Sequence, residues 1–188
     1  MKSLFNKLET RAKICPKGMA LISGDRNVSN QDLLEKINHL SRQLQQSQLS
    51  CVALYMDNSI EWIIADLAAM QIGLTLIPIP LFFSAQQIKH LISDAGIQAV
   101  ITQAKLSENY DYSDTQILPD MQLLILKNAV KPDASQLKKV ATITYTSGST
   151  GNPKGVCLSS ENLGEVTQAL ATGIELSLIH ISEPTRPY

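Results

Sequence analysis

Cysteine, histidine and aromatic residues are all scarce in this chain: three Cys, three His, and only 5% Phe, Tyr and Trp together. Cys15, Cys51 and Cys157 are odd in number and far apart, which argues against a disulfide-built scaffold and offers neither metal-ligand nor redox-motif spacing. A reducing cytoplasm is the natural compartment. Charge of one sign is missing too: the formal net charge is −1, and no Lys/Arg stripe interleaves with aromatics, so nucleic acid is not an expected partner. No signal peptide is expected, because Lys2, Lys7, Glu9, Arg11 and Lys13 interrupt every early apolar run. One apolar stretch without charge, residues 67–83, contains Gly73, Pro78 and Pro80 and is shorter than the ~20 residues a membrane-spanning helix needs. It reads as a buried helix followed by a buried strand, and no transmembrane segment is expected.

What is present is an ordinary globular composition, 44% apolar and 18% charged over 188 residues, enough for one domain with a real core. A short helix is expected over residues 4–12 and a strand over 19–23, followed by a turn at Gly24-Asp25. Ser29 with Asp32 resembles a capping box, and Leu33, Ile37, Leu40 and Leu44 share one face of the helix that follows. Residues 51–56 form a compact apolar strand. Ser59 caps a helix to Ile72, closed by Gly73, in which Ile60, Ile63, Ile64, Leu67, Ala68 and Met70 cover most of the circumference and predict thorough burial. A strand at 75–79, a helix from Ser84 to Gly96 and a strand at 99–102 complete the βαβ pattern of a largely parallel sheet. Residues 103–120 read as a surface loop. Strands are expected at 121–126 and 141–146, with a short helical piece at 135–139 between them.

Residues 144–156, TYTSGSTGNPKGV, carry the chemistry. Glycines let successive backbone N–H groups turn towards an anion, Ser147, Ser149 and Thr150 add hydroxyl donors, and Lys154 adds a compact cation. A lysine about 4 Å from a phosphate oxygen gains roughly 4 kcal/mol at a surface-like dielectric, before desolvation. A Walker-type loop needs glycine before its lysine and serine or threonine after it, at a helix start. Here Pro153 precedes Lys154, Gly155 follows, and 155–158 favours a strand, which makes a strand–loop–strand cradle. A helix capped by Ser159 or Ser160 should then turn Leu163, Val166 and Leu170 inward. Several other residues have plainer readings: Trp62 as core, Phe82 and Phe83 as core or interface, His39 and His90 as solvated, and Cys157 as a small buried apolar group.

In its glycines, hydroxyls, Pro153 and Lys154, the segment 145–156 resembles the signature phosphate loop of the AMP-forming adenylating superfamily, which includes acyl-CoA synthetases, luciferases and peptide-synthetase adenylation domains. Upstream, Asn58-Ser59-Ile60-Glu61-Trp62, Ala65-Asp66-Leu67-Ala68, Gly73 and Pro78 are similar to the amino-terminal region of the same family. The resemblance implies a partial amino-terminal α/β domain. It also implies that Thr146, Ser147, Gly148, Ser149, Thr150, Gly151 and Lys154 hold the β- and γ-phosphates of ATP, with Mg2+ sharing the charge and coenzyme A accepting the acyl group. None of these residues is a nucleophile, so no catalytic residue is assigned and the metal ligands stay open. Ser159-Ser160-Glu161-Asn162 stands where many relatives have Thr-His-x-Asn, which removes a histidine. The activity implied is activation of a small carboxylic acid, of fatty type, as an acyl-CoA synthetase. The alternatives are a peptide-synthetase adenylation domain and a nucleotide-binding module that ligates nothing.

Residues 176–186, LSLIHISEPTR, match the in-frame translation of a transposase adapter used in sequencing libraries. The expectation is therefore an incomplete amino-terminal AMP-binding domain at 1–175, with 176–188 as adapter read-through.

Overall fold

The computed structural model describes residues 2–104, 110–129, 132, 137, 139–146 and 153–177. A first helix, α1 (Lys2–Ile14), precedes a small antiparallel hairpin, β1 (Met19–Ser23) and β2 (Arg26–Ser29), that lies outside the main sheet. α2 (Asn30–Gln46) follows. Its cap Ser29 accepts the Asp32 N–H at 3.1 Å, and Leu33, Ile37, Leu40 and Leu44 are buried along one face as their spacing requires.

The units β3 (Cys51–Tyr55), α3 (Ile60–Ile72), β4 (Thr75–Pro78), α4 (Ala85–Asp94) and β5 (Ala99–Thr102) match the βαβ reading. Ser59 accepts the Trp62 N–H at 3.1 Å to start α3, and Gly73 ends it at φ +71°, where a side chain would be strained. Ser84 and Gln87 form a reciprocal capping box on α4. Two antiparallel hairpins then flank the core: β6 (Tyr112–Leu118) with β7 (Met121–Leu126), and β8 (Val140–Thr146) with β9 (Lys154–Ser159). The last helix is α5 (Ser160–Ser177).

The seven-stranded sheet runs β6-β7-β5-β3-β4-β8-β9. Its four central strands are parallel. The chain moves from β3 to β4 on one side and then returns past β3 to β5, so right-handed crossovers place α3 and α4 on opposite faces. Strand side chains divide accordingly. Val52, Leu54, Leu76, Ala99 and Ile101 pack beneath α2 and α3, whereas Cys51, Ala53, Ile77 and Val100 meet Ile88 and Leu91 of α4. Each fully buried leucine or isoleucine contributes roughly 1.5–3 kcal/mol.

Polar side chains tie the edges. Gln98 Oε1 accepts the N–H groups of Ser50 at 2.7 Å and Cys51 at 3.2 Å, joining the amino ends of β3 and β5. Arg26 donates to Glu61 through both terminal guanidinium nitrogens and so pins the small hairpin to α3. Burial opposes ionisation of Glu61, but the hydrogen bonds and charge of Arg26 outweigh it and hold the carboxyl below its ordinary range.

Four expectations are corrected. Residues 112–118 form the edge strand β6, hidden in the sequence because Ile117 is its single buried side chain. In α3, Ile63 is exposed, and the inward face is completed by Glu61, Ala65 and Ala69. Val166 and Leu170 of α5 are 57% and 59% exposed, since α5 follows β9, the outermost strand of the sheet. Cys157 is exposed on that same edge strand. Trp62 packs against the core as read; Phe83 is buried while Phe82 is exposed. Most of the expected helical piece at 135–139, and the sequence from 178 onward, lie outside the described residues. No helix among the described residues is long and apolar enough to cross a membrane.

Candidate functional site: a hairpin at the carboxyl edge of the sheet

β3, β4, β5 and β8 all end at the same edge, at Tyr55, Pro78, Thr102 and Thr146. In open α/β sheets ligands bind outside the carboxyl ends of the strands, in the crevice formed where successive crossovers leave for opposite faces. The glycine- and hydroxyl-rich segment leaves from this edge at the end of β8. Ser147, Gly148, Ser149, Thr150 and Gly151 lie outside the described residues, but both rims are defined: Thr146 pairs with Lys154 as the last rung of the β8–β9 ladder. Both are exposed, while Pro153 is buried beside them. Lys154 opens a strand and not a helix, as the Pro153 and Gly155 positions led one to expect.

Four contacts set the hairpin's place. Thr75 Oγ1 donates to the Val140 carbonyl and Thr142 Oγ1 to the Leu76 carbonyl, each at 2.8 Å, so threonine hydroxyls reinforce a β4–β8 junction with one paired register, Leu76 with Thr142. Tyr145 pairs with Gly155. A Cβ at Gly155 would stand 2.9 Å from Ile143 Cγ2 and 3.1 Å from Tyr145 Cζ, so the absent side chain makes room for the ring. Finally, the Tyr145 hydroxyl donates to Asp94 Oδ2 at 2.6 Å. Burial, and then this bond, push the phenol well above its ordinary range, so it remains a donor at all physiological pH values.

Asp94 escaped the reading of the sequence. It stands 51 positions before its partner, and nothing local marks it. A separate cleft of about 700 Å³, bordered by Ala85, Lys89, Ile92, Tyr110 and Asp111, opens beside α4. Among the described residues no group of three or more His, Cys, Asp or Glu side chains could hold a metal ion.

The AMP-binding enzyme family model matches residues 8–182. The chain belongs to the AMP-binding enzyme family. It is 30% identical over 172 residues to tyrocidine synthase 1 of Brevibacillus parabrevis, covering 88% of this chain and 16% of that protein. Among solved structures, the o-succinylbenzoate CoA synthetase of Bacillus subtilis with its acyl-adenylate intermediate superposes at a TM-score of 0.65 and 23% identity, over 89% of this chain and 46% of that one. The same enzyme in complex with ATP and magnesium ion gives 0.63 at 22% identity, over 88% and 47%. The chain thus spans less than half of these relatives, and its α/β architecture is that of the amino-terminal region of adenylate-forming enzymes.

Proposed function

We propose that this chain is the amino-terminal part, residues 1–175, of an AMP-forming carboxylate ligase, an acyl-CoA synthetase acting on a fatty-type acid in the cytoplasm. The observation that carries the reading is the strand–loop–strand hairpin at the carboxyl edge, with Lys154 set opposite Thr146 at its rim. The substrate is ATP in its magnesium complex, bound with its β- and γ-phosphates in the cradle of Thr146, Ser147, Gly148, Ser149, Thr150, Gly151 and Lys154. The donor set suits that anion: hydroxyls and an ammonium at the rim of one hairpin.

The chemistry is a displacement. A carboxylate oxygen forms a bond to the α-phosphorus, the bond from that phosphorus to the bridging oxygen breaks, and pyrophosphate leaves with the electron pair. Lys154 and the loop donors bind the charge that grows on pyrophosphate, which is positioning and electrostatic stabilisation and not nucleophilic catalysis. A thiol then attacks the acyl carbon and AMP departs. Coenzyme A is the thiol proposed, with bound acyl-adenylate in the o-succinylbenzoate enzyme as structural support for the first step.

A second reading has its own support: tyrocidine synthase 1, at 30% identity, favours an adenylation domain whose acceptor is a carrier-protein thiol. Carboxylate-dependent exchange between ATP and labelled pyrophosphate by the full-length protein tests both, with Lys154→Ala expected to lower kcat/KM about 100-fold. Absence of exchange across alkyl, aryl and amino acids would leave only a nucleotide-binding module. Acyl transfer to coenzyme A or to a carrier protein separates the two ligases. The 188-residue chain by itself is expected to show no turnover, and reading the source DNA across codon 175 tests the adapter origin of residues 176–188.

A further inference from the structure

We infer that Asp94 is a positioning residue for the phosphate hairpin: through the Tyr145 hydroxyl it fixes how Thr146 and Lys154 face one another. The inference rests on the cradle reading above. Tyr145 directly precedes Thr146, and its partner Gly155 directly follows Lys154, so one aromatic ring lies across the rung beneath the rim. That ring is held from three sides. Its own strand carries it, the bare backbone of Gly155 receives it, and Asp94 Oδ2 takes its hydroxyl at 2.6 Å.

Asp94 is a firm anchor because α4 is itself fixed, capped by Ser84 and packed into the sheet through Ile88 and Leu91. Its place is also one that helix physics disfavours: a carboxylate in the last turn opposes the macrodipole. The bond to Tyr145 supplies a reason for it to be there. A charged acceptor makes that bond stronger than a neutral pair would. Without it the ring is free to leave Gly155, and the rim loses the preorganisation that anion binding needs.

The cradle serves the β- and γ-phosphates, which AMP lacks, and this gives a test that separates positioning from general loosening. Calorimetry on the full-length protein would measure Kd for Mg·ATP and for AMP in Asp94→Ala, Asp94→Asn, Tyr145→Phe, Lys154→Ala and the Asp94→Ala/Tyr145→Phe double variant. Expected are a roughly tenfold weaker Mg·ATP affinity in Asp94→Ala and in Tyr145→Phe, and no further loss in the double variant. AMP affinity should stay within about twofold throughout, and Asp94→Asn, whose amide oxygen still accepts, should return to within about threefold of wild type. Tyr145→Phe deletes a single oxygen, which keeps the test valid if Asp94→Ala folds poorly. Equal losses for ATP and AMP, additive losses in the double variant, or single variants with wild-type ATP affinity would overturn the inference. If Lys154→Ala also leaves ATP binding intact, the cradle reading itself fails; if Lys154→Ala weakens it and the Asp94 and Tyr145 variants do not, only the role of Asp94 falls.

Discussion

The sheet carries an antiparallel hairpin on each flank, and the two are built differently. β6–β7 joins the core through side-chain burial: Ile117, Met121, Leu123, Leu124 and Leu126 are all enclosed. β8–β9 buries Ala141, Ile143 and Tyr145 on its inner strand, while its outer strand leaves Val156 half exposed and Cys157 open. It is located instead by specific polar bonds, from Thr75, Thr142 and Tyr145. Apolar packing is non-directional and resists sliding only through shape, whereas hydrogen bonds fix a register atom by atom. The flank that carries the candidate site is the one placed by direction.

That contrast can be broken by substitution. Leu124→Ala, in the fully buried centre of β7, should cost about 3 kcal/mol, read as a lower urea midpoint, because a cavity is left between α4 and the sheet. A loss under about 1 kcal/mol would mean that the β6–β7 flank is not held by packing. Gly155→Ala should cost about 2 kcal/mol by forcing Ile143 and the Tyr145 ring away, and should weaken Mg·ATP binding as well. Unchanged nucleotide affinity there would separate the ring's place from the rim.

Between the flanks, Asp66 on α3 provides a pH-dependent control. Burial raises its carboxyl from 3.8 to about 6. The folded chain therefore binds more protons than the unfolded one between those values, and this carboxyl costs stability as pH rises through that window, with the full cost present above pH 6. Asp66→Asn should stabilise the chain by about 1–2 kcal/mol at pH 7 and by almost nothing near pH 3, in urea titrations at both pH values. An equal effect at both would show that burial of charge is not the cause. The smallest effect belongs to α5: Val166→Ser, at a side chain 57% exposed, should shift stability by less than about 0.5 kcal/mol.

Much of the fold was legible because its signals are local. Ser59, Ser84 and Gly73 mark helix ends by chemistry that acts within one turn, and β3 and β5 are short runs buried on both faces. β6 was not legible, since an edge strand with one buried residue has the composition of a loop. Nor was the outward face of α5, where apolar spacing describes a stripe but not what meets it. At the site, Lys154 and the loop glycines stand out by residue type and spacing. Asp94 does not, because its meaning depends on a helix and a strand meeting across 51 positions of chain.

Gln98 bears on how such a molecule can change over generations. Its side chain closes the amino ends of β3 and β5, and its own backbone N–H and carbonyl engage Cys51 and Leu126, so that edge depends on the length of one amide side chain. Insertions there would undo three strands at once. Among the described residues, no side chain at the opposite edge bridges three strands in this way, so connections there can change in length while the sheet keeps its form. A lineage built on this scaffold can therefore vary one rim without renegotiating the other.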